Sequence, residues 1–261
     1  MSALDDLFAG CRAEGRSALV GYLPAGYPDL PTSLEAIRTL AEAGADVIEV
    51  GVPYTDPLMD GPVVERAAST ALRAGFRLKD VFTVVAAARD AGAVPVVMTY
   101  WNPVLRYGVD RFAQDLADAG GAALITPDLI PDEAGPWRAA AQERGLAPVF
   151  LVAPSSTDDR LRSTTQACRG FVYVASTMGV TGVRDAVGAD AERLVERTRA
   201  VTDLPLCVGL GVSTGDQAAQ VAAFADGVIV GSALVRALGG SDGLGALRHL
   251  TEELAAGVRR A

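Results

Sequence analysis

Two carboxylates lie near the point where an apolar stretch of the chain becomes a loop. Glu49 lies inside the apolar run 46–51, and Asp60 follows eleven positions later in a loop rich in proline, aspartate and glycine. An ionised carboxylate inside a buried strand is costly unless it is paired or its pKa shifts. Glu49 is therefore a candidate acid or base, whose raised pKa would let it give or take a proton near neutral pH.

A structural alternative for Glu49 is pairing with an arginine across the core. No predicted strand carries an arginine, so we favour a chemical role. Asp60 is weaker evidence by itself, because an Asp-Gly pair is a common turn signal. Asp56 is interpreted as a turn residue for the same reason. Asp128, at another predicted strand end, could be catalytic or could have a supporting role.

Glycine-containing loops follow the last three predicted strands, at residues 179–182, 209–213 and 231–233. Glycine lets a ligand approach the backbone closely. Ser232 would begin a short helix, and the free amides at the start of a helix attract anions. The sequence therefore predicts a phosphate site in these loops.

Other residues near the predicted strand ends could contact a substrate. Three tyrosines are candidates: Tyr22, Tyr100 and Tyr173. A tyrosine at such a position is more often a core or rim residue than a catalytic one, but a flat aromatic substrate would need aromatic side chains as the walls of its pocket. The long loop 179–188, which contains Thr181, could act as a lid over the substrate.

The apolar pattern predicts eight short strands, each followed by a helix, after an N-terminal helix at 2–13. Strands without polar alternation are buried on both faces, as in a parallel sheet. The predicted strands span residues 18–23, 46–51, 94–100, 122–126, 147–152, 170–174, 205–209 and 226–231. Eight such units in a chain of 261 residues are typical of a (β/α)8 TIM barrel.

A doubly wound sheet is the rival fold, but residues 21–26 do not supply the glycine fingerprint expected after its first strand. No linker divides the chain, so a single domain over residues 1–261 is expected. Residues 101–103 are predicted as a loop, and helices are predicted to begin at Asp132 and Ala189.

Composition excludes several classes of function. The net charge is −9 and no Lys/Arg-rich run exists, which argues against nucleic acid or an anionic membrane as a partner. Three widely spaced cysteines and the single histidine, His249, exclude a CxxC motif and a multi-histidine metal site. Without a signal peptide or a span-length apolar run, a soluble cytoplasmic protein is expected.

Six motifs, in order along nearly the whole chain, resemble the tryptophan synthase alpha subunit family. They are EVGVPYTDPLMDGP at 49–62, MTYWNP at 98–103, PDL at 127–129, GVTG at 179–182, GLG at 209–211 and DGVIVGS at 226–232. Several long motifs in the correct order are far more specific than one short glycine motif.

The resemblance implies a TIM-barrel lyase that cleaves indole-3-glycerol phosphate to indole and glyceraldehyde 3-phosphate without a cofactor in this subunit. Glu49 would be the acid and base that protonates indole C3, and Asp60 would accept a hydrogen bond from the indole N–H. The walls around indole and glycerol would include Tyr22, Tyr100, Tyr173 and Thr181. The phosphate would be held by amides near Gly182, Leu210, Gly211, Gly231 and Ser232.

The resemblance also implies a pyridoxal-phosphate beta subunit as partner, in an alpha2-beta2 heterotetramer in which indole passes through a tunnel. Loops 53–60, 100–103 and 179–188 would lie near that interface. The chain departs from the usual family pattern at five positions that bear on substrate fit and coupling: Tyr54, Thr55, Met59, Glu65 and Leu210.

Other functions remain open from the sequence. The chain could be a stand-alone paralogue that releases free indole, or a catalytically silent barrel that acts as a binding partner. Another phosphate-binding barrel, such as an isomerase or aldolase, is also compatible with the residues alone. A Schiff-base aldolase is disfavoured, because the sole lysine, Lys79, lies at a predicted helix start.

Overall fold

The strands form one parallel sheet that curves into a barrel in the computed structural model, which describes residues 2–176 and 184–260. The strands are β1 (Ala18–Pro24), β2 (Val47–Gly51), β3 (Val94–Met98), β4 (Ala123–Ile125), β5 (Ala147–Val149), β6 (Leu151–Val152), β7 (Val172–Ala175), β8 (Leu206–Gly209) and β9 (Gly227–Val230). Their order across the sheet is β5-β4-β3-β2-β1-β9-β8-β7-β6, with parallel pairing throughout.

The barrel closes through the chain itself at Phe150. This residue separates β5, which pairs with β4, from β6, which pairs with β7. The predicted strand 147–152 is therefore one strand in two pieces, each with a different neighbour. Counting the two pieces as one strand, the nine strands fill eight positions around the ring, so the predicted TIM barrel is confirmed.

Helices surround the barrel, and several of them begin at side-chain caps. They are α1 (Ala3–Ala13), α2 (Leu30–Glu42), α3 (Pro62–Arg73), α4 (Val81–Asp90), α5 (Trp101–Tyr107), α6 (Val109–Asp118), α7 (Gly135–Arg144), α8 (Asp158–Ala167), α9 (Arg184–Arg199), α10 (Gly215–Ala222), α11 (Ser232–Leu238) and α12 (Gly243–Val258), with a 3-10 turn at Leu78–Asp80. The Ser2, Asp29, Thr157 and Thr214 side chains each accept a backbone N–H in the first turn, which satisfies donors that the helix leaves free.

Two apolar layers result from the alternation of side chains along the strands. One lies between strands and helices, and the other fills the barrel interior. The predicted N-terminal helix, α1, closes the interior with Leu4, Phe8 and Cys11. The ring centroids of Phe8 and Phe171 lie 6.0 Å apart. The barrel interior is therefore a packed core rather than a pore. A ligand site is expected instead at the carboxyl ends of the strands.

Several predicted boundaries were wrong. β3 ends at Met98 rather than Tyr100, and residues 101–103 form the first turn of α5 instead of a loop. α7 begins at Gly135, three residues after the predicted start at Asp132, with a proline in its first turn. α9 begins at Arg184, five residues before Ala189, because one glycine within a run of helix-forming residues does not stop a helix. Loop residues 179–183 lie outside the described residues.

No helix within residues 2–176 and 184–260 combines the length and the apolar character needed to cross a membrane.

Candidate active site

Glu49 is buried inside the barrel near the carboxyl end of β2. It is 1% exposed and lies between Tyr22 of β1 and Val96 of β3 in the strand register. Its Oε2 has no hydrogen-bond partner among the described residues. Burial alone raises the pKa of Glu49 from its ordinary 4.5 to about 8. The carboxyl group is therefore mostly protonated at neutral pH.

A cavity of about 490 Å³ opens beside Glu49 at the carboxyl ends of the strands. Of the predicted site residues, it is lined by Tyr22, Glu49, Asp60, Tyr173, Gly211, Gly231 and Ser232. The fold thus brings both carboxylates and the glycine loops after β8 and β9 to a single space. Enzymes with this fold place their active sites at this face.

Two of the predicted site residues, Tyr100 and Leu210, do not line the cavity. Tyr100 is 5% exposed and lies beside the loop that carries Asp60. The Leu210 side chain is buried against the helix layer. Thr181 and Gly182 lie outside the described residues.

Tyr22 and Tyr173 lie against glycines at the strand ends. A Cβ at Gly51 would come 2.4 Å from the Tyr22 hydroxyl oxygen, and one at Gly209 would come 2.8 Å from that of Tyr173. Only glycine leaves room for rings in these positions. Burial, followed by nearby carboxylates, raises the pKa of both phenols well above the ordinary 10. Both rings therefore stay neutral and can serve as walls or hydrogen-bond donors.

Asp60 is partly buried at the end of the loop after β2. The Tyr100 hydroxyl donates a hydrogen bond to Asp60 Oδ1 over 2.9 Å and accepts one from the Met59 N–H, also over 2.9 Å. Burial raises the pKa of Asp60, the bond from Tyr100 lowers it, and the charge of Glu65 raises it. Tyr100 therefore favours the ionised form of Asp60 against its surroundings.

The glycines that line the cavity provide backbone features suited to an anion. The first amides of α11, like those of any helix, have no acceptor within the helix. Its N-cap residue, Gly231, has no side chain that could accept a hydrogen bond from them. Gly211 has φ +67°, a conformation that glycine adopts readily. Gly211, Gly231 and Ser232 face the same cavity as Glu49.

The cavity also contains residues that the sequence analysis did not single out. They are Gly61, Val64, Met98, Ser176 and Ile229. Strand alternation places Met98 and Ile229 on the interior face, two positions from Val96 and Gly227. That signal could have found these two residues, whereas the loop residues had none.

The remaining polar candidates have structural positions. Both carboxylate oxygens of Asp128 accept the Trp101 N–H, over 2.9 and 3.1 Å, at the start of α5. Asp56 is exposed and accepts a bond from the neighbouring Thr55 hydroxyl. His249 is exposed on α12, and Cys207 is buried inside the barrel. No group of three metal-ligating side chains occurs within the part of the chain that the structure describes.

A parallel barrel whose cavity holds a buried, protonated carboxyl group at the carboxyl ends of its strands defines an acid–base enzyme of the TIM-barrel class.

Comparisons with known proteins assign the family. Residues 8–256 match the family model described as tryptophan synthase alpha chain. The chain is 63% identical over 259 residues to the tryptophan synthase alpha chain of Mycobacterium marinum, covering 99% of this chain and 96% of that relative. A solved structure of Mycobacterium tuberculosis tryptophan synthase aligns with TM-score 0.93 at 61% identity, covering 99% of this chain and 98% of the other. The alpha subunit from Legionella pneumophila aligns with TM-score 0.90 at 32% identity, with coverage of 99% and 98%.

The chain therefore belongs to the tryptophan synthase alpha chain family. It is a lyase of tryptophan biosynthesis that cleaves indole-3-glycerol phosphate, and the family implies a beta subunit as its partner.

Proposed function

We propose that the cavity between Glu49 and Asp60 is where this chain cleaves indole-3-glycerol phosphate, with the two carboxyl groups in separate roles. The observation that carries the proposal is the burial of Glu49 beside the cavity, which raises its pKa to about 8. A carboxyl group that keeps its proton at neutral pH can deliver it to carbon.

The cleavage is a retro-aldol reaction that needs one proton given and one taken. Glu49 gives its proton to indole C3, which leaves the ring nitrogen positively charged. The resulting carboxylate takes the proton of the adjacent glycerol hydroxyl while the C–C bond to C3 breaks. The bond's electrons return to the ring to give indole, the hydroxyl carbon becomes the aldehyde of glyceraldehyde 3-phosphate, and Glu49 ends protonated as it began.

Asp60 stabilises the positive charge that develops on the indole ring. As a carboxylate it accepts the hydrogen bond of the ring N–H, and that interaction strengthens when the nitrogen becomes cationic. The bond from Tyr100 supports this role because it favours the ionised form of Asp60.

The substrate phosphate would bind at the end of the cavity lined by glycines. We assign it to amides near Gly182, Leu210, Gly211, Gly231 and Ser232, because Gly211, Gly231 and Ser232 line the same cavity as Glu49 and Asp60. Tyr22 and Tyr173 would form walls around the substrate, and Thr181 would contact it from the loop after β7.

The beta subunit would dock on the rim around this cavity. The large apolar side chains of Leu58, Met59, Leu105 and Ile130 are 44–74% exposed. They lie on the segments that follow β2, β3 and β4, at one side of the strands' carboxyl ends. Such exposed apolar side chains at a rim suit a protein interface. We propose a cytoplasmic alpha2-beta2 assembly in which pyridoxal phosphate belongs to the beta subunit.

An assay of indole release from indole-3-glycerol phosphate, with and without a beta subunit, tests this function. Glu49→Gln should reduce the rate at least on the order of 10²-fold while the chain stays folded. Glu35→Gln makes the same chemical change at an exposed residue of α2 and should have no effect. Activation by the beta subunit would argue against a stand-alone paralogue. A parent chain without lyase activity would favour the silent barrel.

A further inference from the structure

The loop that carries Asp60, residues 52–61, is hydrogen-bonded near both of its ends to residues at the start of α5. Tyr100 donates its hydroxyl hydrogen bond to Asp60 over 2.9 Å. Two residues further on, the Asn102 side-chain amide donates to the Tyr54 hydroxyl oxygen over 2.8 Å. The Tyr54 and Tyr100 ring centroids are 5.6 Å apart with planes at 38°. The two ends of the loop are therefore linked through one short segment.

That segment is itself fixed from the following loop. Asp128 accepts the Trp101 N–H with both carboxylate oxygens, over 2.9 and 3.1 Å. Tyr100, the N-cap residue of α5, makes no side-chain cap bond, so Asp128 acts as the cap. The backbone at Trp101 is held in place, and the side chains before and after it reach the loop 52–61.

The middle of the loop has little else to hold it. Thr55, Asp56, Leu58 and Met59 are exposed. Two side-chain hydrogen bonds involve this stretch among the described residues: the Thr55 hydroxyl donates to the neighbouring Asp56, and the Met59 N–H, next to Asp60, donates to the Tyr100 hydroxyl. An exposed segment without packed side chains depends on the contacts at its ends for its conformation.

We propose that Tyr54 is a positioning residue for Asp60. Its hydroxyl, held by Asn102, keeps the Tyr54 ring against Tyr100, and Tyr100 in turn aims Asp60 into the cavity. Tyr54 does not line the cavity, so it acts through Tyr100 and the loop. The inference rests on the proposed role of Asp60 at the indole nitrogen.

Removing the hydroxyl tests the inference, because Tyr54→Phe keeps the ring and loses one hydrogen bond. With the full-length chain alone, kcat for indole release should fall about threefold to tenfold, the range expected for one neutral hydrogen bond. The KM for indole-3-glycerol phosphate should stay within about twofold, because a misplaced Asp60 weakens the transition state more than substrate binding. The melting temperature should not change, since the loop is exposed.

A double-mutant cycle separates positioning from a general effect. Asn102→Ala should lower kcat as much as Tyr54→Phe, and the double variant should be no worse than either single one, because both remove the same bond. Tyr107→Phe is the matched control: the Tyr107 hydroxyl, at the end of the same helix, donates to Asp115 of α6 over 2.5 Å instead of to the loop. Its kcat should equal that of the parent.

An unchanged kcat in Tyr54→Phe, or additive losses in the double variant, would overturn the inference. Neither result would affect the proposed function, provided that the parent chain releases indole and Glu49→Gln does not. Loss of parent activity would instead contradict the proposed function itself.

Discussion

Tyr100 and Asp60 form a hydrogen bond of 2.9 Å in which the phenol is the donor and the carboxylate the acceptor. The phenol has one O–H, and its oxygen also accepts the Met59 N–H. The single Tyr100 hydroxyl proton therefore points to Asp60. A donated hydrogen bond favours the ionised form of the Asp60 side chain over the protonated form. One residue thus sets both the position and the charge of the group assigned to the indole nitrogen.

Tyr100→Phe should lower kcat/KM on the order of tenfold, as expected for the loss of a hydrogen bond to a charged group. The pKa of Asp60 should rise further, because the interaction that lowers it is removed while burial and Glu65 remain. The acid limb of the pH profile of kcat/KM should therefore move to higher pH. A profile identical to that of the parent would contradict this role of Tyr100.

The activity should decline on the alkaline side as Glu49 loses its proton. Its pKa is raised to about 8, so kcat/KM should fall about tenfold per pH unit above that value, if the protonated form of the free enzyme is the reactive one. The pH dependence of kcat/KM measures this directly. Activity that remains level for two units above pH 8 would rule out Glu49 as the proton donor.

The stability of the fold should also depend on Glu49. Its pKa rises from 4.5 to about 8 on folding, so the unfolded chain ionises first as pH increases. The unfolding free energy should therefore fall as pH rises from 4.5, and the loss should become constant above about 8. At pH 7 the loss from this group amounts to roughly 3 kcal/mol.

Glu49→Gln removes that titration and should flatten the pH dependence between about pH 5 and pH 8. Urea unfolding of parent and variant at both pH values gives the comparison. If the two chains lose the same stability over this interval, Glu49 does not titrate with a raised pKa.

Gly51→Ala should disturb the substrate wall at Tyr22. The new Cβ would lie 2.4 Å from the hydroxyl oxygen and 2.5–2.6 Å from ring carbons of Tyr22, so the ring must move. We expect a raised KM and a loss of about 1–3 kcal/mol in unfolding free energy. Gly10→Ala is a control, because its Cβ meets nothing within 4 Å and it lies within α1. That variant should gain about 0.5–1 kcal/mol without a change in KM.

Periodicity was sufficient to predict the elements of the barrel, because strands and helices depend on local patterns of apolar residues. Periodicity did not predict the helix and strand boundaries that depend on contacts with residues distant in the sequence. The division of the fifth strand at Phe150 reflects its two different pairing partners. The start of α5 at Trp101 is capped by Asp128, which lies 27 residues away. Neither contact leaves a signal in the sequence around the boundary.

The residues of the candidate site divide in the same way. Glu49 could be recognised from the sequence, because a carboxyl group within a buried strand is conspicuous and its burial sets its pKa. The residues around Asp60 by themselves indicate only a turn, and its role at the indole nitrogen is suggested by the resemblance of the motifs. Its hydrogen bond to Tyr100, and the bond that links Tyr54 to Asn102, join residues 40 and 48 positions apart. The local pattern of apolar residues was enough to predict the strands, the helices and the buried position of Glu49. The tertiary structure alone decided which side chains hold Asp60, because such contacts exist only once the barrel brings the loops after β2 and β3 together.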